Sequence, residues 1–340
     1  MQNGNSKGRL PALLQAIDRP GALVILPHDN PDPDALASAA TLRYLVQQLT
    51  KRDALIAQGG IVGRAENRAM LTYLNINLVS VGDIDFESDT MVALVDTQPG
   101  RANNSLPEGF IPTVVIDHHP AYAEYPGVAF LDLRSEYGAT STILSEYLHD
   151  SHVPVDPKVA TALFYGIAAE TQDLGREATP ADVAASQFLY PHTNKRRLSK
   201  IENARVPREY FQGFRDAIEK AQIYDKLVIS VLNEVQYPDM VAEVADFLLR
   251  LDQVEWSAAM GFYNKYLYVS LRTTLRDINA GELLRKVLGS KSAGGHDMIA
   301  GGRVRVAEGG VAAEKIAVRI KDRLLKALAV DSTSARGLVS

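Results

Sequence analysis

Short unbroken apolar runs alternate with stretches of three- and four-residue apolar spacing through the first half of the chain. "GALVILPH" (Gly21 to His28), "DALIAQGGI", "TMVALVD" (Thr90 to Asp96) and "TVVIDHH" (Thr113 to His119) predict strands. Asp34 to Leu49, "RAENRAMLTYL" and Asp156 to Glu170 predict helices, the last with proline where a first turn tolerates it. "GATSTILSEYLHD" (Gly138 to Asp150) is a further helix, opened by small hydroxyl residues that can cap it. Valine, isoleucine and leucine without polar alternation fit strands covered on both faces, so a mainly parallel sheet with flanking helices is expected.

The pattern changes late in the chain. Pro191 to about Lys226 is polar, helical in period and basic at "KRR". After it, "KLVISVLNEV" reads as a strand, Asp239 to Leu251 as a helix, and "VEWSAAMGFYNKYLYVSLRTT" as two strands around a turn at Asn264. Then come the helix "INAGELLRKVLG", a glycine-rich loop "KSAGGHDMIAGGRV" and an amphipathic helix over 311–330. The expected organisation is an α/β/α domain over residues 1–190, a helical linker over 191–226, a smaller mixed-sheet α/β domain over 227–330 and a disordered tail over 331–340.

A length of 340 residues fits two domains. The net charge of −5 excludes the dense basic surface needed to wrap long duplex nucleic acid. A small anionic substrate remains open, because a bound metal supplies positive field locally. With no cysteine, disulfides, thiolate metal sites and cysteine nucleophiles are ruled out. No apolar stretch reaches the roughly 20 residues that span a bilayer, so a cytoplasmic protein without a membrane partner is expected.

Charge crowding carries the chemistry. His28, Asp32 and Asp34 follow the first strand, Asp96 ends another, and Asp117, His118 and His119 end a third. An open α/β sheet places its ligands just past the carboxyl ends of strands. Any one of these aspartates alone reads more readily as a helix cap or turn residue. Three strand ends bearing acids and imidazoles point instead to a cation between them, because like charges need compensation. Oxygen and imidazole donors without sulfur suit Mn²⁺, Mg²⁺ or Co²⁺. So many acids suit two ions sharing a carboxylate, an arrangement used against phosphate esters.

"HDNPDPDALASA", "VDTQPG", "VVIDHHP" and "YGIAAETQDLGREAT", in that order, resemble the four motifs of the DHH phosphoesterase superfamily. "SAGGHDMIAGGRV" resembles the glycine-rich signature of the DHH-associated C-terminal domain. Length and domain order are most similar to the nanoRNase and pAp-phosphatase members, with RecJ-type exonucleases as larger relatives. The resemblance implies an active site in the cleft between two domains and two Mn²⁺ ions as cofactors. His28 and Asp32 would bind one ion, Asp34 and His118 the other, and Asp96 would bridge. Asp117 would orient the motif, and His119 would contact phosphate or donate a proton.

The fourth motif departs from the family pattern. Glu170 stands where aspartate is usual, with Asp173 as the alternative ligand. Pro33 replaces a common glycine, and proline could stiffen that turn. In the second domain the resemblance implies that Gly294, Gly295, His296, Gly301 and Arg272 grip the substrate, with Arg176 close to the cleft. The expected substrates are short oligoribonucleotides and pAp-like nucleotides. Linear or cyclic dinucleotides, polyphosphate, or nucleotide sensing without catalysis remain as alternatives, and a homodimer is expected from family habit.

Overall fold

The computed structural model describes residues 8–175, 178–290, 292–295, 298–306 and 311–339, without the side chains of 311–313. Arg176 and His296 therefore lie outside the described residues. The chain divides into two compact units, Met1–Ala204 and Arg205–Ser340.

In the first unit the order is α1 (Arg9–Ala16), β1 (Leu23–Pro27), α2 (Pro33–Thr50), β2 (Leu55–Gln58), α3 (Ala65–Leu74), β3 (Val79–Ser80), β4 (Met91–Val95), β5 (Val114–Asp117) and β6 (Phe130–Leu133). There follow α4 (Thr140–Asp150), α5 (Pro157–Thr171), α6 (Pro180–Leu189) and α7 (Lys195–Glu202). The strands pair in the order β3-β2-β1-β4-β5-β6, all parallel. β1 and β4 are fully buried, which is why their sequences are continuous apolar runs. Leu23 and Ile25 belong to the core that the helices fill, whereas Val24 and Leu26 join a smaller core on the other face, closed by Ile84, Phe86, Leu106 and Phe110. The order reverses direction between β1 and β4, and open α/β sheets bind ligands at such a switch point.

The second unit runs α8 (Arg208–Lys220), β7 (Gln222–Tyr224), β8 (Leu227–Glu234), α9 (Asp239–Leu248), β9 (Trp256–Tyr263), β10 (Tyr266–Thr273), α10 (Ala280–Leu288), β11 (Ala293–Gly295), β12 (Ile299–Arg305), α11 (Val311–Ala327) and β13 (Arg336–Gly337). Its sheet order is β11-β12-β10-β9-β8-β7-β13. Only the β8–β9 pair is parallel, so the sheet is mixed.

Three expectations need correction. The polar stretch 191–226 is not a free linker, because α7 buries Leu198 and Ile201 in the first unit. α8 belongs to the second unit, where the Ser230 hydroxyl donates to the Ala217 carbonyl at 2.8 Å. The glycine-rich stretch is a hairpin rather than a loop, with Gly294 opposite Gly301 and Gly295 opposite Ala300. Residues 331–339 are ordered. Asp331 accepts from the Thr333 amide at 2.9 Å to start a 3₁₀ turn, and Arg336 pairs with Ile223 on the edge of β7.

Candidate metal centre

Three strand ends at the switch point converge. His28 follows β1, Asp96 follows β4, and His118 follows β5. Asp96 holds a left-handed backbone at φ 58°, a conformation that costs a non-glycine residue about 1–3 kcal/mol and clusters at functional sites. Its carboxylate is shared. Oδ2 lies 3.5 Å from His28 Nε2, and Oδ1 lies 3.7 Å from His118 Nε2. Two donor groups result, His28–Asp32–Asp96 and Asp96–His118–His119, each with ligand atoms within 4.8 Å of one another.

Both imidazoles are held the way metal-binding histidines are. His28 Nδ1 donates to the Asp29 carbonyl at 3.0 Å, and His118 Nδ1 donates to the Tyr137 carbonyl at 3.2 Å. With Nδ1 occupied, each ring turns Nε2 toward the shared carboxylate. Asp32 is both a helix cap and a site residue. Its Oδ1 accepts from the Ala35 amide at 3.0 Å, and its Oδ2 lies 3.6 Å from His28 Nε2. Pro33 takes the first helical position, where its missing N–H costs nothing.

Asp34, expected beside His118, is buried, feels the charge of His118 and has a second role. Its two oxygens accept from the amides of Thr140 and Ser141 at 2.8 and 2.7 Å, so it caps α4 from far back in the chain. The hydroxyl residues at the start of α4 do not supply the cap, and Ala139 is the N-cap. The donor group with His118 also brings in His119, whose Nδ1 is bonded to Asp117.

The DHH triplet is braced. Asp117 Oδ1 accepts from His119 Nδ1 at 2.7 Å. Asp117 Oδ2 accepts from Gln98 Nε2 at 2.6 Å, and Gln98 also holds the Tyr122 amide and the Tyr125 hydroxyl through its Oε1. Gln98 is fully buried, and sequence reasoning missed it. A polar amide three residues past a buried strand was the available signal.

The fourth-motif acids separate by position. Glu170, near the carboxyl end of α5, feels the charges of Asp32, His118, Asp34 and Asp96, whereas Asp173 is exposed. In the second unit Arg272 is buried, with Nε on Asp246 at 2.5 Å and Nη1 on the carbonyls of Leu271 and Ala300. A Cβ built on Gly294 or Gly301 would meet nothing within 4 Å, so the hairpin presents open backbone there. Gly295, at φ 142°, is required, because a Cβ would sit 2.3 Å from the Ile299 carbonyl oxygen.

Burial pushes Asp96 well above the ordinary carboxylate range, and the charges of Asp34 and Asp32 push it further. Burial likewise raises Asp34, and burial followed by the Asp32 charge raises Glu170 to about 7. Burial alone would lower His28, but its hydrogen bond and charge contact with Asp32 and the nearby Asp96 raise it to about 10. His118 is raised to about 9 against its burial, first by Asp96 and then by Asp34. Burial works against the ionised form of Asp117 too, yet the bond from His119 holds that carboxyl below its usual range. This donor set of carboxylates and Nε2 atoms, without sulfur, fits hard or borderline divalent cations.

Residues 22–167 match the N-terminal domain of the DHH family, and residues 225–322 match the DHHA1 domain. The chain belongs to the DHH superfamily of phosphoesterases. An uncharacterized protein of Methanocaldococcus jannaschii is 32% identical over 293 residues, covering 84% of this chain and 59% of the relative. A probable bifunctional oligoribonuclease and PAP phosphatase of Streptococcus mutans is 24% identical over 186 residues, 54% of this chain and 52% of the relative. The chain therefore spans between about half and three fifths of these relatives' length. An exopolyphosphatase-related protein of Bacteroides fragilis shares the fold, with a TM-score of 0.65 at 11% identity, covering 95% of this chain and 98% of that one. The two clusters of carboxylates and imidazoles lie within the stretch that matches the DHH N-terminal domain. Among the described residues no helix is long and apolar enough to cross a membrane.

Proposed function

We propose that this DHH protein is a two-metal, manganese-dependent phosphoesterase that hydrolyses short oligoribonucleotides and pAp-like nucleotides. One observation supports the two-ion reading above all others, namely two donor groups that meet on a single carboxylate, Asp96. His28 and Asp32 would hold the ion on one side and His118 the ion on the other, with Asp96 between them. Asp34 would complete the second side, and Glu170 would add charge from the end of α5. When bound, such ions acidify a water and neutralise phosphoryl oxygens.

The chain's own groups do the rest. Asp117 accepts a hydrogen bond from the Nδ1–H of His119 and so fixes the ring's tautomer. Proton exchange with the leaving oxygen then falls to Nε2. Gln98 keeps Asp117 in place. Arg272 and the open glycine backbone of Gly294 and Gly301 would supply the anion contacts of the second unit, as the family motif implies. The Streptococcus mutans relative supports the substrate class, and the net charge of −5 fits short substrates better than long duplexes.

The test is a substrate panel with Mn²⁺: pAp, di- to pentaribonucleotides, cyclic dinucleotides, short DNA and polyphosphate. Hydrolysis of pAp and the short ribonucleotides, lost in Asp96→Asn, supports the reading. Turnover of polyphosphate or cyclic dinucleotides alone moves the substrate class. Saturable nucleotide binding without turnover makes the protein a sensor and ends the enzymatic proposal.

A further inference from the structure

The turn Tyr137–Ser141 belongs to none of the acidic motifs, yet it touches several residues of the centre. The Tyr137 carbonyl accepts from His118 Nδ1, and the amides of Thr140 and Ser141 donate to Asp34. The Thr140 hydroxyl donates to Asp96 Oδ1 at 2.8 Å and accepts from the His118 amide at 3.3 Å. Thr140 is fully buried.

We propose that Thr140 is the positioning residue that sets the plane of the shared Asp96 carboxylate. This inference rests on the metal-centre reading above. A carboxylate serving two sides must present Oδ2 to His28 and Oδ1 to His118 at once. The torsion that turns this group is soft, with broad minima, so an outside contact has to hold it. The Thr140 hydroxyl has its direction assigned by its neighbours. The His118 amide can only donate, so the hydroxyl oxygen accepts there. An ionised Asp96 can only accept, so the hydroxyl proton goes to it. The β-branched side chain adds a restricted χ1.

The turn itself is held from behind. Buried Asp182 accepts from the Gly138 amide at 3.0 Å and from the Thr142 hydroxyl, and it also closes a capping box with Thr179. Buried Arg134 bonds Asp132 and Glu146, and the Tyr137 hydroxyl donates to Glu146 at 2.9 Å. Thr140 therefore sits on a support with little freedom to follow the carboxylate if the carboxylate rotates.

The experiment measures Mn²⁺ affinity by calorimetric titration, with electron paramagnetic resonance of the bound ion, in wild type, Thr140→Val and Thr140→Ser. Removing an outer partner of this kind typically costs about 10- to 100-fold in metal affinity. Thr140→Val should fall in that range and broaden the spectrum, whereas Thr140→Ser should return within a few-fold of wild type. If Thr140→Val does not fold, Asp182→Asn carries the test, since it loosens the turn without touching a donor and should weaken Mn²⁺ binding several-fold. Wild-type affinity in a folded Thr140→Val, or in Asp182→Asn, overturns the inference alone. A wild-type protein that binds no Mn²⁺ overturns the metal-centre reading with it.

Discussion

The first unit buries two clusters of acids, and they differ in how their charge is balanced. Around Arg134, the acids Asp132 and Glu146 face a guanidinium that is always charged, with Nη2 on Asp132 at 2.7 Å and Nη1 on Glu146 at 2.6 Å. The hydroxyls of Tyr147 and Tyr137 fill remaining acceptor positions. Opposite charge within the cluster pushes Arg134 up against its own burial. Around Asp96, the acids Asp32, Asp34, Asp96 and Glu170 face imidazoles, which are cationic only while protonated. Each cluster has a buried heart, Asp132, Arg134 and Glu146 in one and Asp34 and Asp96 in the other. An unfinished charge balance distinguishes the one that recruits ions from the one that staples the fold.

The widest break in that comparison is Asp96→Asn. It should lower phosphoesterase activity by about three orders of magnitude or more, since several kcal/mol of transition-state stabilisation go with the ions. Removing one of several crowded acids should leave the metal-free melting midpoint unchanged or raised. Calorimetry beside an activity assay checks both halves, and an unfolded Asp96→Asn would put the two clusters in one class.

Arg134→Met should behave in the opposite way. Leaving Asp132 and Glu146 buried without their partner costs about 3–5 kcal/mol, read by urea unfolding. Gln98→Leu should fall between the two. It frees Asp117 and with it His119, lowering turnover about 10- to 100-fold, with little change in Mn²⁺ affinity.

The charge balance also sets a pH dependence. His28 and His118 titrate near 10 and 9 in the folded, metal-free protein, against about 6.5 unfolded. Groups raised in this way add stability that is complete below pH 6.5 and is lost as pH rises toward 10. Glu170, raised to about 7, acts in the same direction between about 4.5 and 7. The melting midpoint in chelator should therefore drop between pH 6.5 and 10, and excess Mn²⁺ should flatten the curve. Mn²⁺ affinity should rise over the same range, because each imidazole must release its Nε2 proton. The Arg134 cluster should contribute no slope there. The smallest effect separates Glu170 from Asp173. Glu170→Gln should weaken Mn²⁺ binding about tenfold, and Asp173→Asn should stay within about twofold, as expected for an exposed acid.

Much of this was legible in the chain. β1, β4 and β5 read as strands because buried parallel strands are unbroken apolar runs, and the acids at their ends named the centre. The opposite cluster was not legible, because Asp132, Arg134 and Glu146 look like ordinary surface charges until the fold encloses them. The capping bonds of Asp34 escaped for a related reason: they span 106 and 107 residues to Thr140 and Ser141, and no local pattern encodes them. The β11–β12 hairpin was hidden by its own glycines, which carry no strand propensity and pair only because β10 offers an edge.

The short pairing of Arg336 and Gly337 with β7 has a practical side. Those two residues, with the Leu338 amide on the Ala221 carbonyl, cover the outer rim of the second sheet. Trimming the protein at residue 330, to shed what reads as a loose end, would bare a row of backbone donors and acceptors. Such a shortened protein should be stickier than its parent, through strand-to-strand adhesion between molecules, with its catalytic apparatus intact.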